Sequence, residues 1–174
     1  MILFYFSGTG NSRFIAQAFC RAAGAECYSI EEKLDVSTLV QAHEIVGFCY
    51  PIYGSCVARP MREFVQAHTE ALTGKRFVVL CTQLMFSGDG AHALSTLLPG
   101  GEKSVVYAEH FNMPNNLCNF NMFRVTNGRE NSARLKRAQK RATRAAEEVA
   151  AGRIRRRGFH PVSIALGKSQ SAFW

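Results

Sequence analysis

Apolar runs alternate with helix-spaced stretches along the chain. Continuous runs lie at about 1–6, 45–50, 77–82 and 104–108, with a weaker one near 25–30. "IVGFCY", "RFVVLCT" and "SVVYAEHF" keep no apolar–polar alternation, which predicts strands buried on both faces, as in a parallel sheet. The intervening periodicity predicts a helix over 11–23 that stops at Gly24. A second helix starts near Pro60, a residue suited to a first turn, with Met61, Phe64, Val65 and His68 on one face. A third, over 89–98, turns Ala91, Leu94, Leu97 and Leu98 inward and ends at Pro99-Gly100-Gly101. The last, over 130–151, has a narrow seam of Leu135, Ala138, Ala142, Ala145 and Val149, and its other positions read as solvated. Five strands alternating with helices predict a doubly wound α/β domain over 1–152, followed by a basic tail over 153–174.

In such a sheet ligands bind beyond the carboxyl ends of the strands. Three polar or glycine-rich loops follow strand ends: "SGTGNS", "PIYGSC" and "TQLMFSGDG". The first joins an apolar strand to a helix, so its hydroxyls and amides converge at the positive end of a helix dipole. An anion belongs there. The third glycine of a dinucleotide fingerprint is missing, because Gly8-Thr9-Gly10 is followed by Asn11-Ser12-Arg13. A triphosphate-binding loop would need a lysine in the turn, and this turn has none. Hydroxyls and amides without a cation suit a terminal phosphate monoester held by Ser7, Thr9, Asn11 and Ser12.

Length and composition narrow the class. The 174 residues are 47% hydrophobic and 20% charged, as expected of one globular domain. No apolar run reaches the roughly 18 residues of a membrane span, and the start lacks a basic signal-peptide region, so the expected location is cytoplasmic. Cysteines 20, 27, 49, 56, 81 and 118 have no metal-ligand spacing and read as reduced structural residues. Histidines 43, 68, 92, 110 and 160 are isolated and read as surface or capped residues. No nucleophile–base–acid motif suggests hydrolysis. Neither Asp89 nor Glu109, the acidic residues nearest the loops, is assigned a proton-transfer role.

The net charge of +8 is concentrated. Between Arg129 and Arg157, eleven Lys/Arg face only Glu130, Glu147 and Glu148, so this segment carries the whole excess. "RLKRAQKRATR" lacks the base-reading polar groups and stacking aromatics of a nucleic-acid surface, so nucleic acid is not the expected partner. A solvated face, or a docking face for an acidic redox protein, remains.

"YFSGTGNSRFIA" resembles the FMN phosphate loop of flavodoxins, an apolar strand running into S/T-x-T-G-N-T/S and a helix. The resemblance implies a flavodoxin-like three-layer sandwich with a five-stranded parallel sheet in the order 2-1-3-4-5, and FMN as cofactor. It places the phosphate on Ser7, Gly8, Thr9, Gly10, Asn11 and Ser12. The isoalloxazine ring would lie between Pro51, Ile52, Tyr53 and Gly54 on one side and Thr82, Gln83, Leu84, Phe86, Ser87 and Gly88 on the other. Tyr53 would stack on the ring, and Phe86 would either stack or pack beneath its loop. "PIYGSCVARPMREFV" and "FNMPNN" further resemble the N-terminal half of bacterial flavodoxin–ferredoxin fusion proteins. In such a fusion a ferredoxin module would follow the tail, but these 174 residues contain no iron–sulfur ligand motif.

The implied activity is FMN-dependent electron transfer between an iron–sulfur or NAD(P)H donor and an acceptor, with ferredoxin or another acidic protein as partner. Two alternatives remain open: an FMN-dependent NAD(P)H:quinone or flavin reductase, and a nucleic-acid-binding module acting through the basic segment 134–157. The usual flavodoxin is acidic around its flavin, so the basic helix departs from the pattern.

Overall fold

The computed structural model describes residues 1–86, 88–115 and 128–171. Its elements run β1 (Ile2–Tyr5), α1 (Asn11–Ala23), β2 (Glu26–Ser29), α2 (Val36–Gln41), β3 (Ile45–Tyr53), β4 (Cys56–Val57), α3 (Arg59–Ala67), α4 (Thr69–Leu72), β5 (Arg76–Gln83), α5 (Gly90–Ser95), β6 (Val105–Asn112), α6 (Gly128–Ala150), β7 (Arg155–Arg156) and α7 (Pro161–Ser171). The sheet order is β2-β1-β3-β5-β6-β7, every neighbouring pair parallel, with β4 antiparallel to the end of β3.

The five expected strands occupy the expected order. The unbroken apolar runs have a direct cause, since alternate residues serve opposite layers. Ile2, Phe4, Val46, Phe48, Tyr50, Phe77 and Val79 pack with Met61, Val65, Ala91 and Leu94 of α3 and α5. Leu3, Cys49, Val78, Leu80, Tyr107 and Phe111 pack with Ile15 and Phe19 of α1 and with Ala138, Ala142 and Ala145 of α6. Both faces are therefore dry, as a parallel sheet requires.

Among the described residues the sheet carries two short strands, β4 and β7, beyond the expected five. β4 arises because β3 runs on through Pro51-Ile52-Tyr53 and turns back at Gly54-Ser55, both with positive φ (55° and 65°). Two such residues make the primed turn that suits strand twist in a two-residue hairpin. β7 is the single pair Arg155-Arg156, aligned with Tyr107-Ala108 on the open edge of β6. The segment read as a basic tail thus carries both β7 and α7.

α6 also departs from the sequence reading. Its alanine seam is buried, but Glu148 lies within the packed layer and Arg141 reaches a buried carboxylate. Glu109, only 3% exposed, pairs with Arg141 (2.8 Å), Arg157 (3.1 Å) and Arg155 (3.3 Å). Glu148 accepts from the Tyr107 hydroxyl at 2.8 Å and from Arg144 at 3.0 Å, with Arg155 also near. Hydrogen bonds to Tyr107 and Arg144 hold the Glu148 carboxyl below its usual range. Part of the basic excess is therefore internal, joining α6 and β7 to β6.

Candidate functional site

The loop between β1 and α1 bends at Gly10, whose φ of 93° is the left-handed conformation that glycine adopts without penalty. Gly10 donates its N–H to Ser7 Oγ at 3.1 Å, which closes the turn. α1 then begins without a side-chain cap. Its first intrahelical bond, Phe14 N–H to Gly10 carbonyl at 2.9 Å, leaves the preceding amides of the first turn without helical partners. Asn11 and Ser12 of that turn line a cleft bounded by the ends of β1, β3 and β5.

Two side chains of the loop hold the cleft together. Ser12, almost fully buried, shares a 2.8 Å hydrogen bond with Thr82 Oγ1 at the end of β5. Asn11 donates from Nδ2 to the Pro114 carbonyl at 3.1 Å, drawing the segment after β6 over the loop. Cys49 completes the support by donating to the Ser12 carbonyl at 3.3 Å from below. Burial pushes the Cys49 thiol well above its ordinary range, so it stays protonated and able to donate.

The second wall is the end of β3. Tyr53 stands at the hairpin tip, 53% exposed, and its hydroxyl lies 3.8 Å from where a Cβ on Gly8 would project. Partial burial raises the Tyr53 hydroxyl pKa, so the ring is neutral. A Cβ on Gly90 would fall 2.0 Å from Ile52 Cδ1, so a larger residue at the start of α5 would displace the Ile52 side chain.

The third wall follows β5. Gln83 Nε2 donates to the Met85 carbonyl (2.8 Å) and to Asn112 Oδ1 (2.7 Å), and Met113 N–H donates to the Gln83 carbonyl at 2.8 Å. Gln83 thus fixes where the loop leaves the sheet.

The cleft brings together Ser7, Gly8, Thr9, Asn11, Ser12, Pro51, Ile52, Tyr53, Thr82, Gln83 and Leu84. Gly10 shapes the turn behind it. Gly54 sits in the hairpin turn, Phe86 is exposed, and Ser87 lies outside the described residues. Gly88 donates its N–H to Gln170 of α7 at 3.2 Å. Met113, Pro114 and Asn115 line the cleft but were not among the expected site residues. Their signal was the "FNMPNN" stretch, which begins in the last two residues of β6 and runs on past it.

Two of the histidines, His92 and His110, are buried. His110, 2% exposed, accepts from Ala91 N–H through Nε2 at 3.3 Å. Burial, aided by the Arg157 and Arg141 guanidiniums, drops its pKa to about 3. His92 is buried between Asp89 (3.3 Å) and Glu102 (2.7 Å), with Phe159 edge-on to its ring. Neither histidine lines the cleft. Among the described residues, no group of three His, Cys, Asp or Glu could hold a metal ion. No described helix is long and apolar enough to cross a membrane.

A parallel α/β sandwich with a strand–turn–helix anion loop at the carboxyl edge defines the class, and comparison with known proteins agrees. A profile of the flavodoxin domain matches residues 2–156, and the chain belongs to that family. Its fold is similar to the flavodoxin, WrbA-like protein from Agrobacterium tumefaciens, at 17% identity and TM-score 0.59, covering 87% of this chain and 98% of that one. It is similar also to two-electron reduced Megasphaera elsdenii flavodoxin, at 18% identity and TM-score 0.54, covering 83% and 99% of the two chains. No curated protein sequence matches the chain.

Proposed function

We propose that this protein binds FMN in the cleft and passes electrons between a donor and an acceptor protein. The observation that carries the reading is the uncapped N-terminus of α1, fronted by Ser7 and Thr9, in the same cleft as Tyr53. The residues present fit the group. A phosphate monoester dianion matches helix amides and hydroxyls in a loop with no cation of its own. The slot from Tyr53 to Leu84 and Met113 offers an aromatic face and apolar sides to a planar ring.

FMN supplies the redox chemistry when bound; the protein supplies position and environment. Ser7, Thr9 and the first-turn amides would hold the phosphate. Asn11 Nδ2 gives one N–H to the Pro114 carbonyl, closing the rim, and would give the other to the phosphate. Ser12 and Thr82 lock α1 to β5 and keep the two halves of the site in register. Tyr53 would cover one ring face and exclude water from it.

The expected donor is an iron–sulfur protein or NAD(P)H. For a protein partner, Lys136, Arg137 and Lys140 are among the exposed cations of α6, suited to an acidic docking face such as that of a ferredoxin.

Binding of FMN and of riboflavin to Thr9→Ala/Asn11→Ala tests the reading. FMN should weaken by about a hundredfold or more, since hydrogen bonds to a charged group are worth about 1.5–3 kcal/mol each. Riboflavin, lacking the phosphate, should lose far less. Equal weakening of both ligands would remove phosphate from this loop.

A further inference from the structure

α7 meets the two ring-side loops at one atom. Gln170 Oε1 accepts from the Gly88 N–H at 3.2 Å and from the Ser55 hydroxyl. Gly88 lies in the loop that leaves β5 after Leu84; Ser55 lies in the hairpin turn that carries Tyr53. A single acceptor therefore joins the two segments that form opposite sides of the slot.

Two further observations show that the junction is built closely. A Cβ on Gly88 would fall 2.3 Å from the Gly167 backbone nitrogen and 2.7 Å from the Ser163 carbonyl. A Cβ on Gly167 would fall 1.8 Å from Asp89 Oδ1, so helix and loop touch backbone to backbone. Ser55, 2% exposed, holds φ at 65°, a conformation that a non-glycine residue adopts at a cost. Its hydroxyl bond to Gln170 offsets that cost. α7 turns Ser163, Gly167 and Gln170 to the loops, while Val162 and Leu166 stay exposed.

We propose that α7 is part of the flavin site, with Gln170 as a positioning residue that sets the separation of the Tyr53 hairpin and the Leu84 loop. The proposal rests on the FMN reading above. Gln170 has no role at the phosphate, which lies on the α1 side of the cleft. It acts on the ring alone, by holding the slot in its binding geometry before the ring enters. Preorganisation of this kind raises affinity by the fraction of molecules already competent.

The test compares wild type, Gln170→Ala, Gln170→Glu and Ser55→Ala. FMN and riboflavin affinities, the flavin midpoint potential and the melting temperature of the flavin-free protein are measured for each. Gln170→Ala should weaken FMN and riboflavin by the same factor, about tenfold for two neutral hydrogen bonds, and should move the potential. Gln170→Glu, which keeps an acceptor oxygen at the same reach, should restore most of the affinity. Ser55→Ala, which removes one of the two bonds, should fall between Gln170→Ala and wild type. Wild-type affinities and potential in Gln170→Ala, whatever its melting temperature, would overturn the proposal. So would a loss confined to FMN with riboflavin unchanged. A wild-type protein that binds neither flavin would overturn the FMN reading and this proposal together, which separates the two failures.

Discussion

His110 gives a stability prediction whose size follows from its surroundings. Its Nε2 accepts from Ala91 N–H, so the folded state requires a neutral ring. Burial and the guanidiniums of Arg157 and Arg141 hold the pKa near 3, against an ordinary value of 6.5. The folded pKa is depressed, and the group is neutral in both states above pH 6.5. Below that the unfolded chain takes up a proton that the folded one refuses, so stability falls as pH drops from 6.5 toward 3. Between pH 7.5 and pH 5 the shift corresponds to a loss of about 2 kcal/mol. His110→Gln keeps an acceptor near the same place and cannot take the proton. Urea unfolding of both proteins at pH 7.5 and pH 5 isolates the effect, because every other titrating group is common to both. Wild type should lose about 2 kcal/mol more than the variant over that interval. Parallel losses, or a His110 ring that titrates near 6.5 by NMR, would refute the reasoning.

Two predictions concern α6. Reversing Lys136, Arg137 and Lys140 to Glu should slow electron transfer from an acidic ferredoxin, most strongly at low salt, while melting temperature and FMN affinity hold, since all three are exposed. Unchanged rates at every ionic strength would return these residues to solvent. Arg141→Glu should instead destabilise the fold by about 3 kcal/mol, because it sets a carboxylate beside buried Glu109; an unaltered urea midpoint would contradict that pairing.

The parts legible in the sequence were those with strong local signals. Strands buried on both faces show as unbroken apolar runs, and the β1–α1 turn shows as a short run of glycines and hydroxyls. β7 gave no such sign. It is two arginines, and what holds Arg155 is a pair of carboxylates on other elements, Glu109 of β6 and Glu148 of α6. Arg141 was misread for the same reason: it lies off the alanine seam, yet the open edge of β6 puts Glu109 within its reach. α7 inverts the usual pattern. It meets the loops through Ser163, Gly167 and Gln170, suited to close approach and hydrogen bonding, while Val162 and Leu166 are exposed. Periodicity of hydrophobic residues cannot find such a helix. The bond from the Gly88 amide to Gln170 joins residues 82 apart in sequence, which no local pattern signals.

One ligand at one loop carries the proposed function. The most direct measurement is to reconstitute the purified protein with a mixture of FMN, FAD and riboflavin, remove unbound material, denature it and identify the released flavin. FMN should be recovered at close to one per chain, and the Thr9→Ala/Asn11→Ala protein should recover much less. Recovery of FAD in its place, or of no flavin from the wild-type protein, would contradict the claim that the β1–α1 loop holds the terminal phosphate of FMN.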